Sequence, residues 1–112
     1  MLTEINFSQA VDTTEWSCVT DTAGPDAEST LTGMMQGHLN LSDMAGTDEL
    51  QITVYEKVAA GEAQLIYFRA NPTGPQSRAF LIPGLIVKNG WDVTVKAIVG
   101  TITVTGSIRV MS

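Results

Sequence analysis

Apolar and polar residues alternate along most of this chain, and the alternation has a period of two. Residues 49–58 place Leu50, Ile52 and Val54 on one side and Gln51, Thr53 and Tyr55 on the other. Successive side chains of a strand point to opposite faces, so this pattern predicts a strand with one buried face. Residues 91–97 repeat it, with Trp91, Val93, Val95 and Ala97 inward. Residues 101–110 carry the longest run, with Ile102, Val104, Ile108 and Val110 opposed to Thr101, Thr103, Thr105, Ser107 and Arg109. One dry face and one wet face is the habit of antiparallel sheets. Weaker patterns predict strands near 4–8, 15–21, 34–41, 64–70 and 79–87. Segment 63–70 is apolar on both faces, which suits a central strand or a subunit contact. Helical periodicity is confined to 41–45, where Ser42 is placed to cap one short turn.

Turn formers separate these runs, at Ala23-Gly24-Pro25-Asp26, Ala45-Gly46-Thr47-Asp48, Ala60-Gly61-Glu62 and Asn71-Pro72-Thr73-Gly74-Pro75. The stretch 59–62 predicts a hairpin between its flanking strands, and Asn89-Gly90 predicts a tight primed turn between 79–87 and 91–97. Pro83-Gly84 predicts a bulge or bend, because proline has no N–H for the ladder. Together the elements predict an all-β chain: a single antiparallel β-sandwich over 1–112, of about eight strands and jelly-roll or Greek-key type. A closed barrel is the alternative architecture. Residues 1–8 form either the first strand or an N-terminal arm that orders on a partner.

The chain has 112 residues, 44% of them hydrophobic and only 16% charged. That is one core's worth of chain, too apolar for disorder. The net charge of -6 argues against nucleic acid as a partner, since nothing basic is available to displace counterions from phosphates. No apolar run reaches the roughly 18 residues of a membrane span, so no membrane is expected. The first residues show no basic and then apolar segment, so no secretory signal is expected, and the sequons at Asn6 and Asn40 are read as unmodified. The charge is unevenly placed. All six cations lie at or after Lys57, and ten of the twelve acids precede it. Either strands from the two halves interleave and pair their charges, or the surface meets copies of itself or a partner through opposite charge.

Candidate chemistry is sparse. His38 is the single histidine, in a strand-like run, and is expected to face outward. Cys18 is the single cysteine; it follows Trp16 and is expected to be a buried thiol. A Cys18–His38 nucleophile and base would need the fold to bring the two together. No zinc site is expected, because one needs about four Cys or His ligands. Acids cluster at Asp21, Asp26 and Glu28, and at Asp43, Asp48 and Glu49, without the spacing of a calcium loop. Trp16, Trp91, Tyr55 and Tyr67 are the aromatic candidates for a sugar platform, with Trp91 placed in the core by its parity with Val93. No cofactor and no enzymatic activity are expected.

Two stretches carry a resemblance. They are Leu41-Ser-Asp-Met-Ala-Gly-Thr-Asp-Glu-Leu-Gln-Ile-Thr-Val-Tyr-Glu-Lys-Val58, and Asn89-Gly-Trp-Asp-Val-Thr-Val-Lys96 with the closing Ser107-Ile-Arg-Val110. Over roughly positions 39–110 the chain resembles small virion-associated proteins of tailed bacteriophages; the first 38 residues carry no such likeness. The resemblance implies a capsid decoration (cement) protein on the virion surface, present in the host cytoplasm during assembly. It would bind the major capsid protein, bridge neighbouring capsid subunits and self-associate as a dimer or trimer. The N-terminal apolar residues Leu2, Ile5 and Phe7 are the expected capsid-docking residues. A tail, neck or fibre module, or a small carbohydrate-binding module, would share this sequence pattern.

Overall fold

Nine strands form two antiparallel sheets in the computed structural model, which describes residues 1–24 and 27–112. Part of the expected turn at 23–26, and the acid Asp26, lie outside the described residues. The strands are β1 (Leu2–Val11), β2 (Trp16–Ser17), β3 (Thr22–Ala23), β4 (Gly33–Asn40), β5 (Leu50–Lys57), β6 (Gln64–Ala70), β7 (Phe80–Val87), β8 (Asp92–Ala97) and β9 (Ile102–Met111). One sheet has the order β1-β9-β4-β7 and the other β3-β2-β8-β5-β6. The expected all-β sandwich is therefore what forms, as two open sheets rather than a closed barrel. Most connections pass from one sheet to the other, as in jelly rolls; only β2–β3 and β5–β6 join neighbours within a sheet.

The alternating rows become the core. Val93, Val95, Ala97, Ile102, Val104, Ile108 and Val110 are all buried, and Trp91 is fully so, with its indole N–H donating to the Leu31 carbonyl at 2.8 Å. The bulge expected at Pro83-Gly84 is present. Met35 pairs with Leu85 and Gly37 with Ile82, so β7 fits three steps against two on β4. That extra residue keeps Ile82 and Leu85 on the same inward face although they are an odd number of residues apart.

Several expectations are corrected. Segment 15–21 supplies only the two-residue β2, because the chain turns at once: Asp21 N–H donates to the Ser17 carbonyl and Asp21 has a φ of 60°. Segment 41–45 is a pair of turns rather than a helical one. Asn40, not Ser42, supplies the local cap, its side-chain oxygen accepting from the Ser42 amide at 3.0 Å, while the Asp48 carboxylate holds the Ala45 amide. Asn89-Gly90 is no hairpin, since β7 and β8 belong to different sheets. It is a corner held from below by β5: the Glu56 carboxylate accepts from the Lys88 and Asn89 amides, and the Asn89 carbonyl accepts from Lys57. The 59–62 hairpin does join β5 to β6. Segment 63–70 is an edge strand instead of a central one, and Leu65, Ile66 and Tyr67 lie exposed.

The N-terminal segment is a full strand. Leu2 through Val11 pair without interruption with Met111 back through Ile102. Phe7 faces the core, directly opposite Gly106, and its ring sits 6.1 Å from that of Trp16 at a tilt of 50°. Burying such a ring stabilises by about 2–3 kcal/mol. The absent side chain of Gly106 makes the space, for a Cβ there would fall 2.8 Å from Phe7 Cζ and 2.6 Å from the His38 carbonyl oxygen. Gly106→Ala is therefore expected to destabilise the fold by about 1–3 kcal/mol. Urea unfolding should show a lower midpoint at unchanged slope; an unchanged midpoint would remove Phe7 from the core.

Candidate interaction surface

The outer face of the β1-β9-β4-β7 sheet has a polar middle. Glu4, Arg109 and Gln36 form one cross-strand row, and Asn6, Ser107 and His38 the next. Glu4 accepts from the Ser107 hydroxyl at 2.7 Å and from Arg109 Nε at 3.1 Å, which holds its carboxyl below the ordinary carboxylate range. His38 is half-buried here, with Nε2 3.2 Å from Gln36 Oε1 and 3.4 Å from Arg109 Nη1.

The same face ends in an apolar row. Leu2 lies opposite Met111, Met111 opposite Met34, and Met34 opposite Ile86, so one apolar side chain from each strand crosses the sheet. Their exposures are 54%, 54%, 46% and 67%. The row continues onto the other sheet, where the Tyr67 hydroxyl donates to the Ile86 carbonyl at 3.1 Å. Beyond Tyr67 a groove of about 330 Å³ is lined by Glu56, Lys57, Val58, Leu65, Ile66 and Tyr67. Isolated exposed apolar side chains such as Leu81, opposite His38 on this face, are ordinary, but a contiguous set marks an interaction site. The parity of Met34 and Met111, apolar at positions of the polar face, is the sequence signal for this row.

Of the expected docking residues, Leu2 belongs to this row. Ile5 is half-buried and packs on the core, and Phe7 is buried under Gly106. Phe7 thus supports the fold and is not presented to a partner.

The outer face of the other sheet is polar and covered. Ser17, Thr53, Asp92 and Thr94 are all buried there. Glu15 Oε2 accepts from the Tyr55 hydroxyl at 2.6 Å and from Thr94 Oγ1 at 2.5 Å, and burial with the Glu15 bond pushes the Tyr55 phenol up. Asp92 Oδ1 accepts from the Ser17 hydroxyl at 2.6 Å; Oδ2 meets no donor among the described residues. Burial pushes the Asp92 carboxyl up to about 6, against the pull of Ser17 and of the Val93 and Ala27 amides. Both tryptophans are buried, which leaves the glycan-platform arrangement with Tyr67 as its exposed aromatic ring. Cys18 is buried in the core and His38 faces outward from the opposite sheet, so they form no nucleophile–base pair. No group of three or more potential metal ligands is gathered among the described residues. The two halves of the charge pattern do interleave: Arg109 pairs with Glu4 and Lys57 with Glu28.

No family model matches the chain. No curated protein matches it in sequence. Among solved structures it is similar to a chain described under Bacillus endospore appendages, a novel family of disulfide-linked pili. The two share 14% identity and a TM-score of 0.54, over 99% of this chain and 87% of that one. At this identity the likeness establishes the sandwich fold.

Two side chains yield measurable expectations. The folded chain holds the Asp92 proton up to about pH 6, while the unfolded chain releases it near the ordinary 3.8. Stability contributed by the neutral acid is thus fully present below pH 3.8 and is lost as pH rises to about 6, a change of about 3 kcal/mol. Asp92→Asn should remove that slope, read as the difference between variant and parent in chemical denaturation from pH 4 to 8. Burial also raises the Cys18 thiol well above its ordinary range. A thiol reagent should leave Cys18 unmodified in the native protein and react once urea unfolds it; rapid native reaction would contradict its burial.

Proposed function

We propose that this chain is a non-enzymatic structural protein, a capsid decoration protein of a tailed bacteriophage that binds the outer capsid surface and bridges neighbouring subunits. The observation that carries the reading is the apolar row Leu2–Met111–Met34–Ile86. It lies flat on a rigid sheet and crosses all four strands, which suits attachment to another protein surface better than enclosure of a small ligand. The resemblance of segments 41–58 and 89–96 to virion proteins supplies the setting. Many copies of a modest contact reinforce a shell through multivalency.

The fold likeness to a pilus chain favours a second reading, a fibre or tail module. The chemistry named for that neighbour, disulfide linkage, has no counterpart here, because the single cysteine is 1% exposed. Cys18, buried in the core, is not presented for a linkage between copies.

The deciding measurement is the number of copies per purified particle, by quantitative mass spectrometry against the major capsid protein. Hundreds of copies are expected. A few dozen or fewer would shift the chain to the tail, neck or fibres, and absence would overturn the virion reading. Met34→Asp with Ile86→Asp, both at exposed positions, should release the protein from particles while circular dichroism stays that of the parent.

A further inference from the structure

Four strand edges close the two sheets, and three of them are blunted. β3 has only two residues. β6 is bulged, since Val54 pairs with Phe68 and the next residue, Tyr55, with Ile66, leaving Tyr67 out of register. β7 carries the bulge at Pro83-Gly84, lacks the proline N–H, and has its Ile86 carbonyl taken by the Tyr67 hydroxyl. Bulges, prolines and short length are how sheets discourage pairing with other chains. β1 has none of these. It runs ten residues in unbroken register, and Glu4 is its one charged side chain.

The hydrogen bonds at the chain ends show which backbone groups β1 leaves free. The Met1 amino group donates to the Ser112 carbonyl at 2.8 Å, and the Ser112 amide donates back to the Met1 carbonyl at 3.0 Å. In an antiparallel pair such reciprocal bonding recurs at every second residue. Thr3, Ile5, Phe7, Gln9 and Val11 therefore turn their backbone to β9. Leu2, Glu4, Asn6, Ser8 and Ala10 turn theirs outward, where no hydrogen bond from the described residues meets them.

We infer that β1 is a self-association edge, whose occupant is β1 of a second copy, antiparallel about a two-fold axis at Asn6. Only this register matches all of the outward residues: Leu2 with Ala10, Glu4 with Ser8, Asn6 with Asn6, giving about ten interchain hydrogen bonds. On the inner side it places Ile5 at the pairing position opposite residue 7 of the second copy, so that the adjoining strand covers the half-buried Ile5. It also sets each Glu4 opposite a serine, so no like charges meet, and each Glu4 keeps its own Arg109. The product is one continuous eight-stranded sheet. The reciprocal contact closes on itself, so it yields a dimer and no chain of copies.

The inference deepens the assembly reading above but is tested without particles. Sedimentation velocity over a concentration series should show a monomer–dimer equilibrium. Ser8→Lys should tighten the dimer and Ser8→Glu loosen it, each by roughly two- to thirty-fold at low salt, because each new charge faces the partner's Glu4 twice by symmetry. Asn6→Pro removes an outward N–H at the axis and should abolish the dimer with circular dichroism unchanged. If that variant unfolds, the Ser8 pair still decides. A monomer at every concentration, or a dimer indifferent to the charge at position 8, overturns the inference, whatever the copy number on particles. A low copy number with a β1 dimer intact would sink the capsid role alone. Protection of the Asn6 amide from hydrogen exchange on particles but never in solution would mean a particle protein fills the edge, and the second copy would be the wrong occupant.

Discussion

The pairing of the first ten residues of the sandwich with its last ten governs the rest. β9 is the strand on which both β1 and β4 register, so three of the four strands in its sheet depend on the C-terminal segment. The pairing is secured inside by Phe7 over Gly106 and outside by Glu4 on Arg109 and Ser107. Both contacts join the acidic N-terminal half to the basic C-terminal half. Part of the uneven charge along the chain is thus paired in the fold, Glu4 with Arg109 and Glu28 with Lys57. Exposed ion pairs of this kind contribute little to stability, and their value here is in registering one strand on another.

The two sheets divide the work differently. One keeps a conventional wet face, polar in the middle and apolar at the end. The other buries the polar side of β8, where Ser17 of the neighbouring β2 bonds Asp92 and Glu15 bonds Thr94. This is why β8 is buried on both sides although its sequence alternates. The Ser17 and Thr94 hydroxyls donate to the Asp92 and Glu15 carboxylates, and Thr53 Oγ1 accepts from Arg69 Nε, whereas Asp92 keeps one oxygen without a donor among the described residues. A neutral acid is tolerated at such a place far better than an ionised one.

Most of the fold was legible because period-two patterning reports directly on burial. The rows from Leu50, Trp91 and Ile102 landed inside, and the phase slip at Pro83-Gly84 was readable as a bulge. Sheet membership was not legible. Asn89-Gly90 has hairpin chemistry, yet the next strand goes to the opposite sheet, because Glu56 and Lys57 arrive from elsewhere in the chain to hold the corner. Segment 63–70 stayed open for a related reason: apolar residues on both faces describe a buried central strand and an uncovered edge equally well, and only the central alternative is excluded. The N-terminal residues, apolar among polar neighbours, read equally as a first strand or as a docking arm. That pattern is the ordinary one for a strand, and only the glycine opposite Phe7, about a hundred positions away, resolves it.

The chain ends also lie in mutual contact, with the Met1 amino group on the Ser112 carbonyl. Joining them through a short peptide would ask for no rearrangement of either strand. In a backbone closed this way, the most distant pairing in the fold becomes a local hairpin, and the entropy of bringing the two ends together is removed from the folding barrier. New termini could then be opened at the exposed 59–62 turn, away from both the core and the first strand's free edge.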